Sequence, residues 1–210
     1  MQTSLPHRTS FDGITFQTAR LKLRPFDEDD ASFILALFSD NGFMQFASTP
    51  LFTSIDQAHA LIARDAEKRF TGERLRLGIE RTDDGVLIGY CDLFNIDSDC
   101  KKAELGYGLL TAQRGSGYMN EALSAALNWA FNELALHRVV AEIDRANTSS
   151  AKTLTRLRFS KQGQLSGSCI ADGVVSDSVF YALLRQDVPD AQCFPVASPA
   201  LPLIDATITP

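Results

Sequence analysis

From Ser116 the chain places Met119, Ala122, Leu123, Ala126, Leu127, Ala130 and Leu134 at three- and four-residue spacing. That spacing gathers them on one broad face of an α-helix. A helix so apolar on one side must lie against another layer. Three short runs precede it, LRLGIER (75–81), VLIGYCDLFNI (86–96) and AELGYGLL (103–110), with an Asp84-Gly85 turn between the first two. Short, closely spaced runs of this kind predict an antiparallel meander, so strands and a covering helix follow each other directly in the chain.

The rest of the sequence extends the pattern. ARLKLRPF (19–26) alternates apolar and basic residues and stops at Pro25, as a short strand does. Asp27 opens a helix whose acidic first turn, Asp27 to Asp30, suits the positive end of the helix dipole. Ser54 and Gln57 form a capping-box pattern ahead of Ala58, Leu61 and Ile62, and Gly72 closes that second helix. HRVVAEID (137–144) reads as a strand and Asn147 caps a short helix running to about Phe159. Two more strands are predicted over 161–170 and 174–184, turning at Asp172-Gly173. The order βααβββαβαββ predicts one α/β (α+β) domain, a mixed, mostly antiparallel sheet flanked by helices.

At 210 residues with 45% hydrophobic and 22% charged composition, one domain accounts for the chain. It is assigned to 16–187, with an N-terminal extension over 1–15 and a Pro-rich tail over 188–210. Five of the eight prolines, Pro189, Pro195, Pro199, Pro202 and Pro210, fall in or next to that tail. They exclude regular structure there, and both a disordered tail and one laid on the body stand open. A formal charge of −6 argues against nucleic acid and anionic membrane as partners. Cys91, Cys100, Cys169 and Cys193 lack metal or redox spacing and read as free thiols, so no metal is expected. The N-terminus has no apolar signal core, and a cytoplasmic location is expected.

Two local features point to chemistry. Gly115 and Gly117 flank Ser116 at the mouth of the long helix. Either they form a tight loop needing positive φ, or they let an anion approach the first-turn N–H groups. On the preceding strand, alternation puts Glu104, Gly106, Gly108 and Leu110 on one face and Ala103, Leu105, Tyr107 and Leu109 on the other. Two glycines beside Glu104 predict open space above it. Asp92, on the neighbouring strand, is either a receptor for an ammonium group or a solvent-facing carboxylate.

The run AELGYGLL…QRGSGYMNEAL…WAFNELALHRVVAEIDRANTSSAKTLTRLRF…DGVVSDSVFYALLRQD resembles the GNAT acetyltransferases. The resemblance is to their RimJ/RimL-like branch, which includes ribosomal-protein N-terminal acetyltransferases, and it covers roughly Phe16 to Asp187. It implies that acetyl-CoA is the cosubstrate, with its pyrophosphate on the N–H groups of Gly115, Ser116, Gly117, Tyr118 and Met119 and with Arg114 as a phosphate cation. It implies Glu104 as general base, Leu109 and Leu110 among the cofactor-binding residues with a backbone N–H near Leu109 for the oxyanion, Asn147 for the pantetheine arm and Ser150 as proton donor to the departing thiolate. The acceptor side is assigned to Asp92, Gly106 and Gly108. The expected acceptor is a protein or peptide N-terminus; a small amine (polyamine, amino sugar or aminoglycoside) and a non-catalytic acyl-CoA-binding module are the alternatives, and a homodimer is left open. Three positions depart from the family pattern. Ala112 stands where Arg or Gln is frequent, Gly108 where an aromatic is usual, and Arg158 where Leu-Gly-Phe has its glycine.

Overall fold

The computed structural model describes residues 10–47, 49–171 and 174–188, without the side chains of 169–171 and 174. The Asp172-Gly173 turn, Cys193 and the tail from Pro189 onward lie outside the described residues, as do residues 1–9 and the side chain of Cys169.

The strands are β1 (Phe16–Gln17), β2 (Leu21–Arg24), β3 (Leu75–Arg81), β4 (Leu87–Asp97), β5 (Lys102–Leu109), β6 (Arg138–Asp144), β7 (Ser160–Ala171) and β8 (Val174–Leu184). The α-helices are α1 (Ala31–Ser39), α2 (Asn41–Met44), α3 (Ile55–Phe70), α4 (Tyr118–Asn132) and α5 (Thr148–Arg156). Among the described residues they build one sheet in the order β1-β2-β3-β4-β5-β6-β8-β7. Every neighbouring pair is antiparallel except β5 and β6.

The predicted order holds, with two additions. β1 is two residues long and α2 four, too short for periodicity to reveal. α2 exists because the Asp40 carboxylate accepts the Phe43 N–H at 2.6 Å, an N-cap that turns the chain back onto the sheet. The acidic turn at Glu28–Asp30 is a 3-10 turn capped by Asp27, and α1 starts only at Ala31.

Alternation along the strands splits the core in two. Leu21, Leu23, Leu75, Leu77, Ile79, Cys91, Leu93, Ala103, Leu105, Val139 and Ala141 point to the side of α4, joined by Trp129 and Leu154. The opposite side holds Phe26, Ile34, Leu37, Phe38, Met44, Leu61 and Ile62, with Phe43 and Tyr90 packed against them. The sheet is therefore covered on both faces. The domain boundary drawn at residue 16 falls inside this body. Phe11 is 1% exposed, packs edge-on to Trp129 at 5.3 Å and donates its N–H to the Arg69 carbonyl at 2.9 Å. Among the described residues no helix is long and apolar enough to cross a membrane.

Candidate active site

β5 and β6 run parallel and pair at only three positions, Lys102↔Arg138, Ala103↔Val139 and Glu104↔Val140. β5 continues to Leu109 and β6 to Asp144, so beyond Glu104 the two strands part and leave a wedge in the middle of the sheet. The backbone groups facing it follow from the ladder on the other side. Leu110 donates its N–H to the Ile88 carbonyl at 2.9 Å. With antiparallel alternation, Gly108, Gly106 and Glu104 also spend their backbone groups on β4; the Leu105 N–H closes the β6 ladder at Val140, and the backbone groups of Tyr107 and Leu109 face the wedge. The Leu109 N–H is thus available to an oxyanion there, whereas the Leu110 N–H is already engaged.

Glu104 sits at the last paired position, half-buried, and accepts a hydrogen bond from Asn95 Nδ2 at 2.9 Å. Asn95 reaches it because β4 shifts register between Phe94 and Asp97, putting Asn95 at φ 48. Beside Asn95 a cavity of about 330 Å³ is lined by Lys68, Glu73, Arg74, Phe94 and Ile96.

The other face of the wedge belongs to α5. Asn147 is its N-cap, Oδ1 accepting the Ser150 N–H at 3.0 Å, so Asn147 holds the turn that presents Ser150. Tyr107 reaches over from β5 and donates its hydroxyl to the Ser150 carbonyl at 3.3 Å. Burial pushes the Tyr107 phenol up to about 12, so it stays a donor at neutral pH. Glu104 and Ser150 therefore flank the wedge from opposite sides of the sheet.

At the wedge's far end Gly115 and Gly117 adopt φ +87 and +83, a left-handed region that favours glycine. Gly117 occupies the N-cap position of α4, and no side chain caps that terminus. The first-turn N–H groups, around Tyr118 and Met119, are left as the donors a helix N-terminus offers an anion. A Cβ at Gly115 would meet nothing within 4 Å. Arg114 turns its Nε onto the Leu109 carbonyl at 3.2 Å, which ties this loop to the wedge edge.

The acceptor-side expectations need correction. Asp92 is 2% exposed and accepts from Arg74 Nη2 at 2.6 Å and Arg76 Nη2 at 3.0 Å; Arg76 also donates to Asp65 at 3.0 Å. Its carboxylate is spent on a buried charge network and is not offered to a ligand. The space expected over the two glycines is also filled. A Cβ at Gly108 would come 2.6 Å from the Phe43 ring, and one at Gly106 would come 3.4 Å from Phe94. The aromatic missing at position 108 is supplied by α2 instead. At Arg158 the turn is kept without glycine: φ is 68, Phe159 N–H donates to the Leu154 carbonyl and Arg158 N–H to that of Thr155. This is a Schellman cap closed by two buried apolar residues, Leu154 and Phe159.

Sequence reasoning missed Asn95, Phe43, and the roles of Tyr107 and of Arg20, which donates to the Ser116 carbonyl. No local pattern signals any of them, since each partner comes from a distant element or a register shift.

Comparison with known proteins fits this geometry. The acetyltransferase (GNAT) domain family matches residues 20–160. The chain is 30% identical over 173 residues to the uncharacterized N-acetyltransferase p20 of Bacillus licheniformis, covering 82% of this chain and 97% of that one. It is 26% identical over 188 residues to the [ribosomal protein uS5]-alanine N-acetyltransferase of Escherichia coli, covering 86% and 96%. Among solved structures, Mycobacterium smegmatis RimJ in complex with CoA-disulfide superimposes with a TM-score of 0.79 at 20% identity, covering 88% of this chain and 93% of that one.

Proposed function

Taking as premise that the chain belongs to the GNAT acetyltransferase family and is an N-acetyltransferase using acetyl-CoA, we propose that it acetylates the α-amino group of a protein or peptide by direct attack in a ternary complex. The loop at 115–119 holds the diphosphate, Asn147 holds the pantetheine arm, and the thioester lies in the wedge. Glu104 takes the proton from the acceptor ammonium, and the neutral amine forms the new C–N bond. The tetrahedral oxyanion meets the Leu109 N–H, and collapse breaks the C–S bond with Ser150 giving its proton to the coenzyme A sulfur and regaining one from the second proton that the amide nitrogen sheds.

The observation that supports this reading is the parting of β5 from β6 at Glu104. It puts one carboxylate at the mouth of a backbone-lined slot, with Asn147 and Ser150 across it. An α-amine, with a pKa of about 7.7–8.0 against about 10.4 for lysine, needs little proton removal at neutral pH. A single modest base suffices for it. The relative that acetylates the alanine of a ribosomal protein fits the same acceptor class.

A small polyamine is the second reading. Glu142 is exposed on the same sheet face as Glu104, two residues past Val140, and a second carboxylate suits a second ammonium. A competition panel of peptides with free or blocked N-termini, spermidine and an aminoglycoside, scored by mass shift and kcat/KM, tests the choice. Free peptides winning supports the α-amine reading, and spermidine or blocked peptides winning overturns it.

A further inference from the structure

The loop 115–119 has a support that begins about a hundred residues earlier in the chain. Arg20 lies in the turn between β1 and β2, directly before Leu21, which is fully buried in the sheet. Its backbone N–H donates to Glu121 Oε1 at 2.9 Å, and its Nε and Nη2 both reach Oε2 at 2.7 Å. Thr18 adds its hydroxyl to Oε1 at 2.6 Å. The remaining arm of the guanidinium, Nη1, donates to the Ser116 carbonyl at 3.0 Å, and the group as a whole lies over the Tyr118 ring at 4.6 Å. A Cβ at Gly117 would come 3.5 Å from Nη2.

Isolated surface ion pairs contribute little because solvent screens them and side-chain entropy opposes them. This one differs in having two arms on one oxygen, a backbone donor, a hydroxyl and a ring. It also acts where stiffness matters. A Gly-Ser-Gly segment has the greatest conformational freedom in the loop, and ordering it on binding subtracts from affinity. Glu121 lies in the first turn of α4, where its charge suits the helix dipole but repels an incoming phosphate. Arg20 cancels that charge locally. Of the five guanidinium N–H groups, three are engaged, leaving two, one of them on the Nη2 that lies next to Gly117.

We propose that Arg20 and Glu121 form a clasp that holds the 115–119 loop in its diphosphate-binding shape, with Arg20 as the positioning residue and Glu121 as its anchor. The clasp rests on the reading that this loop holds the diphosphate of acetyl-CoA. Both residues act through the loop, so their loss changes acetyl-CoA binding and leaves the acceptor's KM alone.

The experiment is a double-mutant cycle read by calorimetry with acetyl-CoA, alongside melting curves and steady-state kinetics. Arg20→Gln strips the cation and leaves the Glu121 carboxylate unmasked, so its Kd rises about tenfold. Glu121→Gln loosens the anchor and removes a repulsive charge, so its Kd rises about threefold. The double variant binds no worse than Arg20→Gln alone, because the two act as one unit. Arg20→Lys keeps charge without the fork and falls between wild type and Arg20→Gln. The rise in acetyl-CoA KM exceeds any fall in kcat. Gly117→Glu serves as the loop control. If it loses affinity while Arg20→Gln binds within twofold of wild type, the clasp is overturned and the loop reading stands. Single effects that simply multiply also overturn the clasp. If folded Gly117→Glu binds like wild type, the diphosphate lies elsewhere and both readings fall.

Discussion

Replacing Asp92 by Asn tests whether the buried charge network is structural. Asp92 is 2% exposed and takes donors from two arginines, Arg74 through Nε and Nη2 and Arg76 through Nε and Nη2, at 2.6 to 3.1 Å. Arg76 is itself 8% exposed, and without Asp92 its one remaining carboxylate is Asp65 at 3.0 Å. Burial pushes the Asp65 carboxyl up, against the pull of Arg76 and Arg74, so this carboxylate is a poor substitute anchor. Removing one partner of a buried pair costs about 3–5 kcal/mol, because the other charge stays desolvated. Asn keeps one acceptor oxygen and Asp65 remains, so the lower end, about 3 kcal/mol, is expected. For a chain of this size each kcal/mol moves Tm by about 2–4 °C, giving a drop of about 6–12 °C. Urea and calorimetric melts measure it, with acceptor KM taken well below the melt. A stability loss under about 1 kcal/mol together with a raised acceptor KM would refute the reasoning and return Asp92 to the acceptor.

Glu104→Gln should lower turnover about 10²-fold at neutral pH with acetyl-CoA affinity retained, and high pH should restore part of it by supplying free amine; full neutral-pH activity would remove Glu104 from the chemistry. Arg158→Gly should raise stability by about 1 kcal/mol in a urea melt, since a left-handed non-glycine residue is strained, and a loss would mean that the arginine side chain matters more than its φ. For Glu121, burial raises the carboxyl but the Thr18 and Arg20 hydrogen bonds outweigh it and hold it below the ordinary 4.5. Its stabilisation is therefore fully present above that value and lost as pH falls through the depressed one. The gap in stability between wild type and Glu121→Gln should stay constant from neutral pH to about 5 and close below 4.5, and a gap that closes near neutrality would contradict this.

Elements long enough to repeat a period were legible in the sequence, as with the α4 stripe from Met119 to Ala130 and the β5 alternation around Glu104. α2 was not, because four residues hold barely one turn and its signal is a single Asp40 cap. Within the site, what a residue does with its own backbone could be read: Gly115 and Gly117 do take positive φ, and Asn147 does cap α5. What depends on register could not. Asp92 looked exposed until β3 set Arg76 directly opposite it. Gly108 looked open until α2 brought Phe43 over it. Asn95 reaches Glu104 only because β4 slips at its end. Side-chain roles were therefore readable where they are local and hidden where two distant segments must first be aligned.

The wedge between β5 and β6 also has a mechanical consequence. The ladder that unites β1 to β5 with β6 to β8 is three residue pairs long, and the α4 to β6 connection spans the same junction. The domain is thus two leaves on a short spine, and whatever lies between them acts as a removable rung. Amides of Tyr107 and Leu109 then become a gauge of occupancy. Their deuterium uptake should slow when coenzyme A is bound, while amides of the β3–β4 ladder, paired in unbroken register from Leu75 to Ile79, stay unchanged. On the placement proposed above, with the thioester in the wedge, the cosubstrate becomes a transient member of the sheet, and its release returns those amides to exchange.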